Sequence, residues 1–127
     1  MAHVTAAALA SENKSLAHPA SVDSITTSAN KEDHVSMGPI AARQARAVVV
    51  NVRRILAIEA LAAAQAIEFH RPLKTSDALE AVHALVRGAI HKYDADRIMG
   101  PEIELAAELV RNGDLLRAAE KKAGDLE

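Results

Sequence analysis

The sequence predicts an all-α fold, a bundle built around one long helix with an extended polar loop ahead of it, and three observations predict it. Alanine abounds, while aromatic residues make up only 2% of the chain. Apolar residues recur at three- and four-residue spacing, and Pro and Gly punctuate the ends of those stretches. Alanine is the best helix former and a poor strand residue, so a core of small aliphatic side chains favours helices over sheets. A chain of 127 residues suits a single domain, 1–127, with a modest core.

Residues 4–16 read as the first helix, with Val4, Ala7, Ala8 and Leu9 on one side and the His18-Pro19 pair as its stop. Residues 18–38 then lose all apolar periodicity and are rich in Ser, Thr, Asn and Asp. A loop of about twenty residues is uncommon in a compact domain and is usually either functional or disordered. A long central helix spans 39–69. It starts where Pro39 sits in a first turn that has no use for its missing N–H, and it ends at Arg71-Pro72. At about 1.5 Å per residue it is roughly 46 Å long.

Its second half, residues 55–67, is apolar on nearly every face and must be covered all round. Short neighbours from the same chain cannot cover that length, so the reading calls for tight self-association or a further portion of the same protein. Helices from 76–127 complete the bundle. One runs over 76–93 with Ser76 or Asp77 as N-cap and Leu79, Val82, Val86 and Ile90 as its inner stripe. The next starts near Pro101, carries Ile103, Ala106, Ala107 and Val110, and stops at Asn112-Gly113. Asp114 caps a last short helix.

A net charge of -2 gives no broad field to hold a nucleic acid backbone or an anionic membrane surface, so neither is an expected partner. With no cysteine there is no disulfide, thiolate nucleophile or Cys-based zinc site, which agrees with a reducing cytoplasm. The Ala-rich opening is a poor signal peptide, because no Lys or Arg precedes its apolar run and Glu12 and Lys14 follow too soon. Glu59 and Gln65 interrupt the most apolar region well before a membrane span is complete. Neither Glu32, Asp33 and His34 nor His91, Asp94 and Asp96 has the paired-histidine spacing of a metal site, so no metal is expected. Arg43, Arg46, Arg53 and Arg54 read as solvated or inter-subunit ion pairs rather than a phosphate site.

The runs TAAALASENK, HPASVDS and TSANKEDHVSMGPIAAR, followed by VRRILAIEALAAAQAIEF at 52–69 and YDADR with PEIE in 93–104, closely resemble the C-terminal third of histidine ammonia-lyases, in the aromatic amino acid ammonia-lyase family. The resemblance covers essentially the whole chain. It implies a homotetramer with a helical central bundle, active sites each assembled from three subunits, and conversion of L-histidine to trans-urocanate and ammonia. It also implies a methylidene imidazolone electrophile, formed from Ala-Ser-Gly in the family's N-terminal part. This chain contains no Ala-Ser-Gly, and Tyr93, its one tyrosine, does not match the family's catalytic tyrosines. The cofactor is therefore expected from a portion not present here, and the chain alone is expected to be inactive.

The resemblance assigns one catalytic residue, Glu32, within Asn30-Lys31-Glu32-Asp33-His34. In the histidine enzymes this carboxylate faces the substrate, holding the imidazole or assisting proton transfer. The phenylalanine relatives carry an amide there. The chemistry is apt, because a carboxylate accepts an imidazole N–H that phenylalanine does not offer. Asn30, Asp33 and His34 are expected to support the loop through hydrogen bonds, and Ser36 to act as a turn or cap residue. Lys31 stands where Gln is common and adds a charge able to pair with Glu32; Thr26 stands where Pro is common. Two functions fit: a segment of a histidine ammonia-lyase, as a fragment or as one chain of a split enzyme, or a stand-alone oligomeric helical protein without lyase activity.

Overall fold

The computed structural model describes residues 2–126; the terminal Met1 and Glu127 lie outside the described residues. Five helices account for most of the chain: α1 (Ala2–Leu16), α2 (Gly38–Phe69), α3 (Asp77–Ala89), α4 (Gly100–Asn112) and α5 (Asp114–Ala123). A short 3-10 turn, Ala20–Val22, lies between α1 and α2. The described residues contain no strand beyond one isolated bridge, Thr27 to Glu32. The all-helical expectation holds, and among the described residues no helix is long and apolar enough to cross a membrane.

The helix boundaries follow from local chemistry. Pro39 occupies the first turn of α2, and its other end closes with the His70 N–H on the Ile67 carbonyl at 3.1 Å and the Arg71 N–H on the Glu68 carbonyl at 3.3 Å. Ser76 caps α3, its hydroxyl accepting from the Leu79 N–H at 3.4 Å. That helix ends at Ala89, short of the expected 93, because Ile90 turns extended and carries the chain away towards Tyr93. Gly113, at φ 73°, serves both as C-cap of α4 and as N-cap of α5. Asp114 therefore is not the cap: it is the first helical residue, and its carboxylate accepts from Arg117 instead.

Helix α1 packs on α2, α4 packs on α2, and α5 packs on α3, with a lighter α2–α3 contact. The core joins Ala57, Leu61 and Ala64 of α2 with Val86, Ile90, Ala106 and Ala107, with Ile103 and Leu115 against them. Small side chains at 57, 64, 106 and 107 let α2 and α4 approach closely, and Leu61, 1% exposed, fills the space between them. Burying such a leucine contributes about 1.5–3 kcal/mol.

The α1 side of the bundle is thinner. No residue of α1 is fully buried, and its packed positions are Ala2, Ala6, Leu9, Asn13 and Leu16. The expected stripe of Val4, Ala7 and Ala8 instead faces solvent. A polar contact fixes the pairing: buried Asn51 of α2 donates to Glu12 Oε2 at 2.9 Å and to Asn13 Oδ1 at 3.0 Å. Those bonds require Asn13, not Ala7 or Ala8, to face α2.

Helix α2 itself is covered on one side only. Ala57, Ile58, Leu61 and Ala64 are buried. On the opposite side Ala42, Ala45, Val49, Val52, Leu56, Glu59, Ala63 and Ala66, spaced alternately by three and four residues, are all exposed. That is the a/d spacing of a coiled-coil seam, apolar at every position but Glu59. The expectation that residues 55–67 need cover all round is met by this chain over half of the circumference.

Candidate functional site

The polar loop ahead of α2 folds back on itself between residues 24 and 35. Thr27 and Glu32 lie directly opposite each other and exchange both backbone bonds: the Thr27 N–H donates to the Glu32 carbonyl at 3.0 Å and the Glu32 N–H to the Thr27 carbonyl at 3.3 Å. Further back in the same antiparallel register, the Val35 N–H donates to Ser24 Oγ at 2.9 Å. The tip closes with the Lys31 N–H on the Ser28 carbonyl at 3.2 Å.

Ser28, Ala29 and Asn30 all have positive φ, 51°, 56° and 64°. This left-handed region costs an ordinary L-residue about 1–2 kcal/mol. Asn tolerates it well, and Asn30 is also held in place by the Thr26 hydroxyl, which donates to its Oδ1 at 2.9 Å. Thr26, where the resemblance has Pro, thus supplies a side-chain bond that a proline lacks.

Glu32 sits at the foot of this turn with an exposed side chain. Its Oε2 accepts from the Thr27 hydroxyl at 3.2 Å. The Asn30 side chain joins the loop framework through Oδ1. Asp33 and His34 do not: both are exposed, and among the described residues neither side chain makes a hydrogen bond or ion pair. Ser24, Thr26 and Thr27 hold the loop in their place. Lys31 is likewise exposed and forms no ion pair with Glu32 among the described residues. Ser36 does not cap α2; the N-cap position is Met37, with no side-chain bond to the helix. What the residue pattern did not reveal was Thr27, whose relation to Glu32 depends on backbone pairing across the turn.

A second polar cluster joins the end of α2 to α3. Glu68 Oε1 faces His83 Nε2 at 2.9 Å and accepts from Arg87 Nε at 3.0 Å. Arg71 Nη2 lies 3.2 Å from His83 Nδ1. A guanidinium can only donate, so Nδ1 accepts and Nε2–H donates to Glu68. Burial pushes the Glu68 carboxyl up, but the bonds from Arg87 and His83 outweigh it and hold the pKa below the usual value. Glu80 takes a two-pronged bond from Arg71, both contacts at 2.9 Å. Those bonds first, and the Thr75 N–H second, hold its pKa down at about 2. Every strong group here is paired, so the cluster acts as a fastener between helices.

The 91–99 connection is fastened in a similar way. Arg97 stacks 4.0 Å above the Tyr93 ring and bonds Glu102 at 2.9 Å, while the Tyr93 hydroxyl donates to the same carboxylate. Burial and, next, the Glu102 bond push the Tyr93 phenol up to about 12. A cleft of 440 Å³ lies beside this connection, with Ile58, Leu61, Ala62, Gln65 and Met99 among its lining residues; it includes no residue of the Glu32 loop. Arg54 pairs with Glu104 at 2.8 Å, and no group of three or more potential metal ligands gathers among the described residues.

Comparison with known proteins places this architecture. A family model described as aromatic amino acid lyase matches residues 1–88. The chain belongs to the aromatic amino acid lyase family. It is 58% identical over 123 residues to the histidine ammonia-lyase of Symbiobacterium thermophilum, covering 97% of this chain and 24% of that relative. To the human histidine ammonia-lyase it is 58% identical over 110 residues, 87% of this chain and 17% of the relative. Among solved structures, it superimposes on Trypanosoma cruzi histidine ammonia-lyase with a TM-score of 0.89 at 49% identity, covering 95% of this chain and 24% of the other. Tyrosine aminomutase from Streptomyces globisporus gives 0.87 at 38% identity, with 98% and 23% covered. The chain thus spans about a quarter or less of the length of these relatives.

Proposed function

We propose that this chain is the C-terminal segment of a histidine ammonia-lyase, supplying the substrate-facing loop around Glu32 and part of the helical scaffold of an enzyme that converts L-histidine to trans-urocanate and ammonia. The observation that carries this reading is the 58% identity to histidine ammonia-lyases along 97% of the chain. Two features of the chain support it. Backbone held in a sparsely populated region clusters at functional sites, and the 28–30 turn beside Glu32 is such a segment. The exposed carboxylate is the group that an imidazole N–H needs as acceptor.

The methylidene imidazolone that this family forms from Ala-Ser-Gly has no precursor among these residues, and the Tyr93 hydroxyl is already committed to Glu102. The chain on its own is inactive in this reading. It contributes the hydrogen-bond acceptor, while the electrophile belongs to a complementary portion. The open seam of α2 is the surface on which that portion, or further copies of the chain, would pack. A stand-alone oligomer without lyase chemistry also needs such a seam, and complementation separates the two readings. Mixing this chain with a polypeptide bearing the Ala-Ser-Gly portion should restore urocanate formation from L-histidine. Association without activity would favour the stand-alone oligomer, and activity of this chain by itself would overturn the assignment.

A further inference from the structure

Glu32 has a long, exposed side chain, and holding a free Glu in one geometry costs rotamer entropy. A carboxylate that is to orient a substrate must be held before the substrate arrives. We propose that Thr27 is the positioning residue for Glu32, fixing the carboxylate through Oε2 so that Oε1 is presented to the imidazole N–H of the substrate. This inference rests on the lyase reading given above, and no other group in the chain performs the same task among the described residues.

The geometry is specific. Thr27 is directly opposite Glu32 in the one bridged pair of the loop, where cross-strand side chains are near neighbours. Its β-branched side chain is stiff at χ1, and it is half-buried where Glu32 is exposed, so the anchored partner restrains the free one. A threonine hydroxyl has one hydrogen to give, and here it goes to Glu32 Oε2. Glu32 Oε1 takes no bond from any described residue and keeps its lone pairs for a ligand. Thr26 divides the work: its hydrogen goes to Asn30 and fixes the left-handed tip, leaving Thr27 to fix the carboxylate.

The test has one arm in this chain and one in an active enzyme. By NMR of the chain alone, the Glu32 side chain should occupy one rotamer, become averaged in Thr27→Val, and return to one rotamer in Thr27→Ser. Protection of the Thr27 and Glu32 amides should be unchanged throughout. Equal averaging in the wild type and Thr27→Val would overturn the proposal whatever the enzyme does. The active enzyme is the Symbiobacterium thermophilum lyase carrying this segment in place of its own. There, Thr27→Val should lower kcat/KM for histidine about tenfold, as expected for one hydrogen bond to a charged group, and Thr27→Ser should restore it to within about twofold. In a Glu32→Gln background Thr27→Val should have no further effect, since a residue acting through Glu32 is silent without it. A loss that persists in that background would overturn the proposal while leaving the role of Glu32 intact. Unchanged turnover in Glu32→Gln itself would overturn both.

Discussion

Single side chains divide into those that are fully committed within this chain and those that are not. Glu80 is committed: two bonds from Arg71 and one from the Thr75 N–H hold its carboxyl at about 2, against an ordinary value of 4.5. A depressed carboxylate contributes stability that is fully present above its unfolded pKa and is lost as pH falls through the folded one. The chain should therefore lose stability between pH 4.5 and pH 2, and Glu80→Gln should flatten that part of the profile while lowering stability at neutral pH. Urea midpoints of both proteins at neutral and acid pH check this. Glu32, by contrast, has one oxygen held and one open, and Asp33, His34 and Lys31 project without partners among the described residues. The sequence singled out Glu32 because its neighbours form a long, specific run. Thr27 was not, because nothing in the spacing of two residues five apart says that a turn will set them face to face.

Helix ends proved the most legible elements, since their determinants are local. Ser76, Pro39 and the Asn112-Gly113 pair act where the sequence put them. Replacing Ser76 by Ala should cost about 1 kcal/mol, and Gly113→Ala should also destabilise. The added methyl would be held at φ 73° with its Cβ 3.2 Å from the Arg117 guanidinium, and thermal unfolding of each variant would read both losses. A substitution at Gly88, where an added Cβ meets nothing within 4 Å, should do no such harm. Helix faces were less legible. In α1 alanines lie on every side, so hydrophobic periodicity does not choose between Ala7 and Ala6; the choice falls to Asn51, which bonds Glu12 and Asn13 from another helix. Asp114 was misassigned for a related reason, because one glycine serves two helices and leaves no cap position for the acid.

At the scale of the whole molecule, α2 is packed on one side and exposed on the other. The buried side of α2 joins α4 and Val86 of α3 in a real core, yet its other side offers a seam in which Val49, Val52 and Leu56 are 47%, 41% and 44% exposed. The sequence announced this as an apolar helix that needs covering, and this chain supplies the cover on one face. If the seam is the packing surface proposed for it, Leu56→Glu should leave the helical content unchanged and abolish association; native mass measurement and circular dichroism together test this. A wild-type chain that stays monomeric at every concentration and in the presence of the complementary portion would contradict the seam's role.

If the chain forms one wall of a lyase active site, with the Glu32 carboxylate receiving the imidazole of the substrate, Glu32→Gln in the catalytically complete assembly is the variant that shows it. With folding and association unchanged, the rate of urocanate formation from L-histidine should fall by about tenfold or more, the range for losing a hydrogen bond to a charged group. Turnover equal to that of the unsubstituted assembly would contradict the account.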